Sequence, residues 1–93
     1  MKAIYNGEII AQSNETIVIE GNHYFPPGSL KKDFFKESGT HSTCAWKGLA
    51  SYNTIEVNGM TNKDAAWFYP DPSENAKQIK DYVAFWKDVK IIE

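Results

Sequence analysis

Two short segments of the chain combine aromatic side chains with small residues in a pattern that could form a binding slot. In the first segment, Gly48 and Ala50 lie between Trp46 and Tyr52, and the alternation of a strand places all four on one face. The large rings of Trp46 and Tyr52, with the small residues Gly48 and Ala50 between them, leave room for a flat or cationic ligand. The alternative is that these aromatic residues are ordinary core, which a domain this small also needs.

The second segment repeats the pattern. Ala65, Trp67 and Tyr69 alternate along a strand and therefore share a face. If the two strands face each other, their four large side chains form an aromatic cage. We therefore predict a small-molecule pocket walled by Trp46, Tyr52, Trp67 and Tyr69.

Three polar residues, Glu20, Tyr24 and Lys47, could give this pocket its polar contacts. Lys47 has the wrong parity for the aromatic face, so we predict a bulge at Lys47-Gly48 that turns the amine toward Glu20. The ordinary alternatives are a solvated lysine and an exposed acid at the end of a strand. An exposed pair of this kind contributes only about 0–1 kcal/mol, so its role would be to position a ligand.

Cys44 lies on the same predicted face as Trp46 and would be a nucleophile only beside a base or a cation. His41 and Lys47 are each three residues away, which on a strand is the opposite face, so only a bulge or a loop would bring them close. We expect a reduced, mostly buried thiol. Cys44 forms no regular metal-binding spacing with His23 or His41, and the chain has no phosphate-binding glycine motif, so we expect neither metal nor cofactor.

Composition limits the class of protein. A chain of 93 residues that is 42% hydrophobic and 24% charged predicts one small globular domain over residues 1–93. All ten basic residues are lysines, and most alternate with acids, so we expect no nucleic-acid partner. No apolar run is long enough to span a membrane, and no signal-peptide pattern follows Met1. With a single cysteine, the expected location is the cytosol; the oligomeric state stays open.

The elements that must position these residues are mainly strands. Asn6-Gly7 and Asn58-Gly59 are typical of tight hairpin turns, and the segments around them are rich in β-branched and aromatic residues. We predict a mainly β domain of antiparallel strands with two short helices, at about 30–36 and 72–80. Ser29 and Asp71 are the expected N-caps. Residues 82–86 fit a helix or a strand equally well.

The chain also resembles a known family, the domain of unknown function 427, whose members are sometimes labelled nucleotidyltransferase-like. The resemblance rests on residues spread along almost the whole chain: Asn6-Gly7, Ala11, Ser13, Glu20-Gly21-Asn22, Tyr24-Phe25-Pro26, Thr43-Cys44, Trp46-Lys47-Gly48, Ala50, Tyr52, Ala65-Ala66-Trp67, Tyr69-Pro70, Pro72, Ala76, Ile79 and Val83-Ala84-Phe85. One departure is Ala45, where the family usually has proline.

The resemblance implies a β-tent fold, similar to the thalidomide-binding domain of cereblon and to methionine sulfoxide reductases of the B type. Those proteins place ligands in an aromatic pocket, and many carry a four-cysteine zinc site that one cysteine cannot supply. The family has no established activity, and the paired carboxylates of nucleotidyltransferases are missing here. Three functions therefore stay open: small-molecule binding, a non-enzymatic protein-interaction module, and a thiol-dependent enzyme that uses Cys44.

Overall fold

The computed structural model describes residues 1–93 and confirms a mainly β domain. Its nine strands are β1 Lys2–Tyr5, β2 Glu8–Gln12, β3 Ile17–Ile19, β4 Asn22–Tyr24, β5 Phe35–Cys44, β6 Gly48–Val57, β7 Met60–Phe68, β8 Val83–Phe85 and β9 Lys90–Ile92. The helical segments are three 3-10 helices, at Pro27–Ser29, Lys32–Phe34 and Glu74–Ile79. No helical segment has the length and apolar character that crossing a bilayer requires.

The strands form three antiparallel sheets. Strands β2, β1 and β9 form one sheet, β3 and β4 form a two-stranded hairpin, and β5, β6, β7 and β8 form the largest sheet in that order. Isolated bridges tie the pieces together, among them the bridge between Phe25 and Val83. Residues of the large sheet divide between two separate buried clusters, one shared with β1 and β2 and the other shared with Tyr24 of β4.

Tight turns occur where the sequence predicts them. Asn6 and Gly7 both have positive φ, 49° and 78°, as do Asn58 and Gly59, at 50° and 84°. These are the angles that two-residue hairpin turns require, and asparagine and glycine adopt them at low cost. Both predicted hairpins, β1–β2 and β6–β7, are therefore confirmed.

The helix predicted at 30–36 is wrong. Only Lys32–Phe34 forms a single 3-10 turn, and Phe35 already begins β5, where it pairs with Ile55. Ser29 caps nothing further along the chain; its hydroxyl donates to the carbonyl of Pro26. Strand pairing prevails here because Leu30 bridges to Ala11 and Phe35 packs on the core, which extended backbone allows and a helix would not.

The second predicted helix, at 72–80, is present in a shorter and tighter form. It is the 3-10 helix Glu74–Ile79, which is interrupted at Ala76, where φ is −120°. Ser73 precedes the helix and makes no side-chain cap, so the expected Asp71 cap is absent. The ambiguous segment 82–86 contains strand β8, Val83–Phe85.

Two clusters of buried side chains lie on opposite faces of the large sheet. The main core contains Phe25 and Phe85 and packs against the β2-β1-β9 layer. The second cluster contains Tyr24, Tyr69 and Ala84, with the hairpin β3–β4 and the 3-10 helix Glu74–Ile79 over it. Alternation along β8 explains the division, because Phe85 faces the first cluster and its neighbour Ala84 the second.

Candidate functional site

Lys47 is positioned by the tight loop that connects β5 to β6. Cys44 pairs with Gly48 across this loop, and Gly48 has φ +111°, which favours glycine. The backbone N–H of Ser73 donates to the Lys47 carbonyl at 2.9 Å, and the Ser73 hydroxyl donates to the carbonyl of Trp46. The loop is therefore fixed against the chain that leads into the last 3-10 helix.

The fold buries one charged side chain, that of Lys47, which is only 4% exposed. Its ammonium pairs with the carboxylate of Glu20, as the sequence predicts, although a loop between two strands makes the contact rather than a bulge within one strand. The ammonium also lies 4.6 Å from the centre of the Trp46 ring and 5.9 Å from that of Tyr69. These contacts offset much of the cost of taking the charge out of water.

The ion pair keeps both of its members charged. Burial acts to lower the pKa of Lys47, but the hydrogen bond to Glu20 and the neighbouring acidic groups outweigh it, so that the pKa is raised. The hydrogen bond from Lys47 lowers the pKa of Glu20. Lys47 is thus a permanent cation and Glu20 a permanent anion around neutral pH.

Glu20 reaches Lys47 from the tip of the β3–β4 hairpin. Its φ is +54°, and Gly21 follows with φ +80°. These are the angles that the two-residue turn between β3 and β4 requires, and glutamate adopts them at a cost that asparagine and glycine largely avoid. The Glu20 side chain is 58% exposed, so the pair consists of a buried cation and a solvated anion.

Next to this pair the second cluster opens into a cleft of about 270 Å³. Its lining residues come from the β3–β4 hairpin, the β5–β6 loop and the strands β6, β7 and β8 with their flanks: Glu20, Asn22, Tyr24, Lys47, Tyr52, Trp67, Tyr69 and Trp86. Five of these eight are aromatic. The cleft therefore has flat walls and one buried charge.

Edge-to-face contacts fix the aromatic walls. The rings of Trp67 and Tyr24 are 6.3 Å apart and perpendicular, and the indole N–H of Trp67 donates to the Tyr24 hydroxyl at 3.2 Å. Trp86 stands at 86° to Trp67, 6.1 Å away, and its indole N–H donates to the Asp64 carbonyl at 2.6 Å. The indole N–H of each tryptophan is satisfied within the protein, so both contribute their ring surfaces to the cleft.

The residue pattern that suggested a family can now be compared with known proteins. A family model, described as a domain of unknown function (DUF427), matches residues 1–93. The chain belongs to DUF427. Comparison with curated proteins finds no match. The family resemblance read from the residues is therefore confirmed over the whole chain, and the family description names no activity.

The thiol of this DUF427 domain is more accessible than the sequence suggested. Cys44 is free and half-buried rather than mostly buried. The loop brings the Lys47 ammonium to 3.6 Å from its sulfur. Desolvation acts to raise the pKa of Cys44, but the backbone N–H groups of Lys47 and Trp46 and the Lys47 charge together lower it.

The structure brings together most of the residues that the sequence singled out. Six of them line the cleft: Glu20, Tyr24, Lys47, Tyr52, Trp67 and Tyr69. Cys44 and Trp46 do not line the cleft, but both contact the ammonium of Lys47. Gly48 and Ala65 do not form the floor of the slot. Gly48 packs against the backbone of residues 71–73. Ala65 belongs to the main core instead. The pairing of β6 with β7 is irregular next to Asp64, whose φ is +57°, and this irregularity interrupts the alternation of side chains along β7.

Two residues of the cleft were missed, Asn22 and Trp86. Alternation could have found both. Asn22 is two residues before Tyr24 on β4, and Trp86 is two residues after Ala84, which faces the second cluster from β8. The ambiguity of residues 82–86 concealed the signal for Trp86.

No group of three or more His, Cys, Asp or Glu side chains is arranged to hold a metal ion. A second cleft, of about 280 Å³, is lined by Pro27, Leu30, Asn53, Phe68, Asp81 and Val83. Phe68 and Val83 belong to the side of the large sheet that faces the main core, so the two clefts are separate.

Proposed function

We propose that this DUF427 domain binds a small molecule with a planar apolar part in the cleft beside Lys47. The observation that carries the proposal is the convergence of five aromatic residues on one buried ammonium. Apolar walls with a few convergent polar groups are typical of ligand sites. The volume of about 270 Å³ is at the small end of such sites and suits one or two rings.

Stability alone gives little reason for this arrangement. Replacing a buried ion pair with apolar side chains of similar volume is often neutral or stabilising. Here the fold buries Lys47 beneath aromatic rings and places Glu20 at an unfavourable φ to neutralise it. These costs support a role for the pair in recognition.

A thermal-shift screen of one- and two-ring compounds tests the proposal. A compound at ten times its dissociation constant stabilises the folded state by about 1.4 kcal/mol, which raises the melting temperature by about 6–11 °C in a domain of this size. Trp86→Ala removes one cleft wall and should abolish the shift. The control is Met60→Ala at the β6–β7 turn, because Met60 is 52% exposed and Trp86 is 47% exposed. This control should preserve the shift in melting temperature.

The screen also separates ligand binding from the alternative of a protein-interaction module. Binding at the cleft requires that hits lose their effect in Trp86→Ala. A screen without hits, or with hits that are unaffected by Trp86→Ala, would contradict the proposal and favour the module.

A thiol-dependent reaction at Cys44 is the second candidate. It is favoured by the 3.6 Å contact between the Lys47 ammonium and the Cys44 sulfur, since a neighbouring cation increases the thiolate fraction. A free thiol also persists in a reducing compartment, so we propose the cytosol as the location. Iodoacetamide should label Cys44 with a midpoint below pH 9.0, the ordinary value, and Lys47→Met should move that midpoint upward. A midpoint at or above 9.0 would exclude this candidate.

A further inference from the structure

Two phenol hydroxyls of the cleft, those of Tyr24 and Tyr69, have no acceptor within the protein. The Tyr24 oxygen accepts from Trp67, and its own O–H has no acceptor in the protein. The Tyr69 hydroxyl has no hydrogen-bond partner, and because no buried polar side-chain atom is left unpaired, this hydroxyl is open to the cleft that it lines. Burial raises the pKa of Tyr69 to about 12, so it remains a donor.

Lys47 adds a third donor. Of its three N–H bonds, one goes to Glu20 and one points at the Cys44 sulfur, 3.6 Å away. The third is free. The two phenol hydroxyls and the ammonium that line this cleft match the several lone pairs of a carboxylate, and charge-assisted bonds of this kind are roughly twice as strong as neutral ones.

Glu20 is a weak occupant of the position that such a carboxylate would take. It reaches Lys47 from the tip of a hairpin with three residues in each strand, its side chain is 58% exposed, and its backbone is strained. Tyr24 and the bridge between Phe25 and Val83 anchor the hairpin, so only the exposed Glu20 side chain at its tip has to move. Glu20 can therefore yield its contact to a ligand that brings a carboxylate of its own.

From this geometry we infer, on the basis of the proposed function, that the cleft recognises aromatic monocarboxylates and that Glu20 is a built-in competitor for the ligand's place on Lys47. The ligand's ring lies against Trp67 and Trp86, and its carboxylate accepts from Lys47, Tyr24 and Tyr69. One negative charge is sufficient, because Lys47 is the only cation among the lining residues. A cationic ligand is disfavoured, since the Tyr69 ring already faces the Lys47 ammonium.

Calorimetric titration with three probes of one shape tests this inference: 1-naphthoate, its neutral analogue 1-naphthamide, and the cation 1-naphthylmethylammonium. We expect the parent protein to bind 1-naphthoate about tenfold more tightly than 1-naphthamide, the factor of one added charge-assisted bond. The cation should bind most weakly. Equal affinities, or a preference for the cation, would overturn the inference and leave the proposed function standing. No binding of any probe would overturn both.

Glu20→Gln separates competition from simple charge complementarity. It keeps the shape of the side chain and removes its charge, so it should tighten 1-naphthoate several-fold and leave 1-naphthamide within a factor of about two. The matched control is Glu37→Gln, an exposed acid on β5 outside the cleft, which should change neither affinity. Weaker 1-naphthoate binding in Glu20→Gln would show that Glu20 helps to bind the ligand, and the competitor role would fall.

Lys47→Met provides the complementary result. It keeps the apolar stem of the side chain and removes the ammonium, so the preference for 1-naphthoate over 1-naphthamide should disappear while 1-naphthamide still binds. A preference that survives in a folded Lys47→Met protein would contradict the assignment of Lys47. If that variant does not fold, the Glu20→Gln result decides the inference by itself.

Discussion

The two faces of the large sheet are built from the same strands but present different side chains. On one face, Ile55, Val57 and Phe85 pack against the β2-β1-β9 sheet and form the main core, and the second cleft, lined in part by Phe68 and Val83, lies on this side. On the other face, a short hairpin and a single 3-10 helix cover only part of the surface. The cleft beside Lys47 lies on this second face, and its large residues are tyrosine and tryptophan, which have both an apolar ring and a polar atom.

The two faces also differ in where they place polar side-chain groups. The main core contains no polar side chain other than the hydroxyl of the nearly buried Tyr5. The opposite face contains the buried ammonium of Lys47 and two phenol hydroxyls without acceptors. The first face is expected to determine stability, and the second to determine binding.

The largest expected effect comes from removing a ring from each face. Phe25 is fully buried in the main core and stacks edge-on with Phe85 at 5.5 Å, so Phe25→Ala should cost about 3–5 kcal/mol. Trp86 is 47% exposed, and Trp86→Ala should cost only about 1–3 kcal/mol, the sum of one ring contact and one hydrogen bond. Chemical denaturation measures both. Equal losses would mean that the cleft face is a second structural core.

A smaller effect is expected when the buried charge is removed and its volume kept. Lys47→Met should change the free energy of unfolding by no more than about 1 kcal/mol, because an apolar side chain suits the aromatic surroundings and the remaining Glu20 carboxylate is solvated. Lys47→Ala is the control, since it also leaves a cavity and should be less stable than Lys47→Met. A loss of several kcal/mol in Lys47→Met would show that the pair is structural.

The smallest effect is the pH dependence of the pair. The pKa of Glu20 is lowered in the folded state by the hydrogen bond from Lys47, so its contribution to stability is present above its ordinary value of 4.5 and is lost as the pH falls through the folded value. The stability difference between the parent protein and Glu20→Gln should therefore shrink below pH 4.5, whereas Glu37→Gln should show no such trend. A difference that is constant from pH 7 to pH 3 would rule out the pair's contribution.

Local sequence signals predicted much of the fold. Asn6-Gly7 and Asn58-Gly59 set their hairpins because their preferred backbone angles are local properties. The helix at 30–36 failed because Phe35 has a partner on β6 that lies twenty residues further along the chain, and local propensity carries no information on such pairing. The alternation that correctly placed Trp67 and Tyr69 failed at Ala65 for a related reason, the irregular pairing next to Asp64.

The candidate site was predicted in its composition more than in its geometry. The aromatic residues and the Glu20–Lys47 contact followed from parity and from residue type. The burial of Lys47 did not, because it depends on the docking of the β5–β6 loop against Ser73, a contact between residues far apart in sequence. The closeness of Lys47 to Cys44 follows from the same loop.

The most direct test of the account is a nuclear magnetic resonance titration that follows the three tryptophan indole N–H signals with 1-naphthoate as the probe. If the cleft face is the binding face, the signals of Trp67 and Trp86 shift in a saturable way, and the backbone amide signals of Ile55 and Val57 in the main core remain unchanged. Shifts centred on Leu30 and Phe68, which line the second cleft, would place binding elsewhere and contradict the account. Indole signals of Trp67 and Trp86 that stay unchanged at saturating 1-naphthoate would also contradict the account.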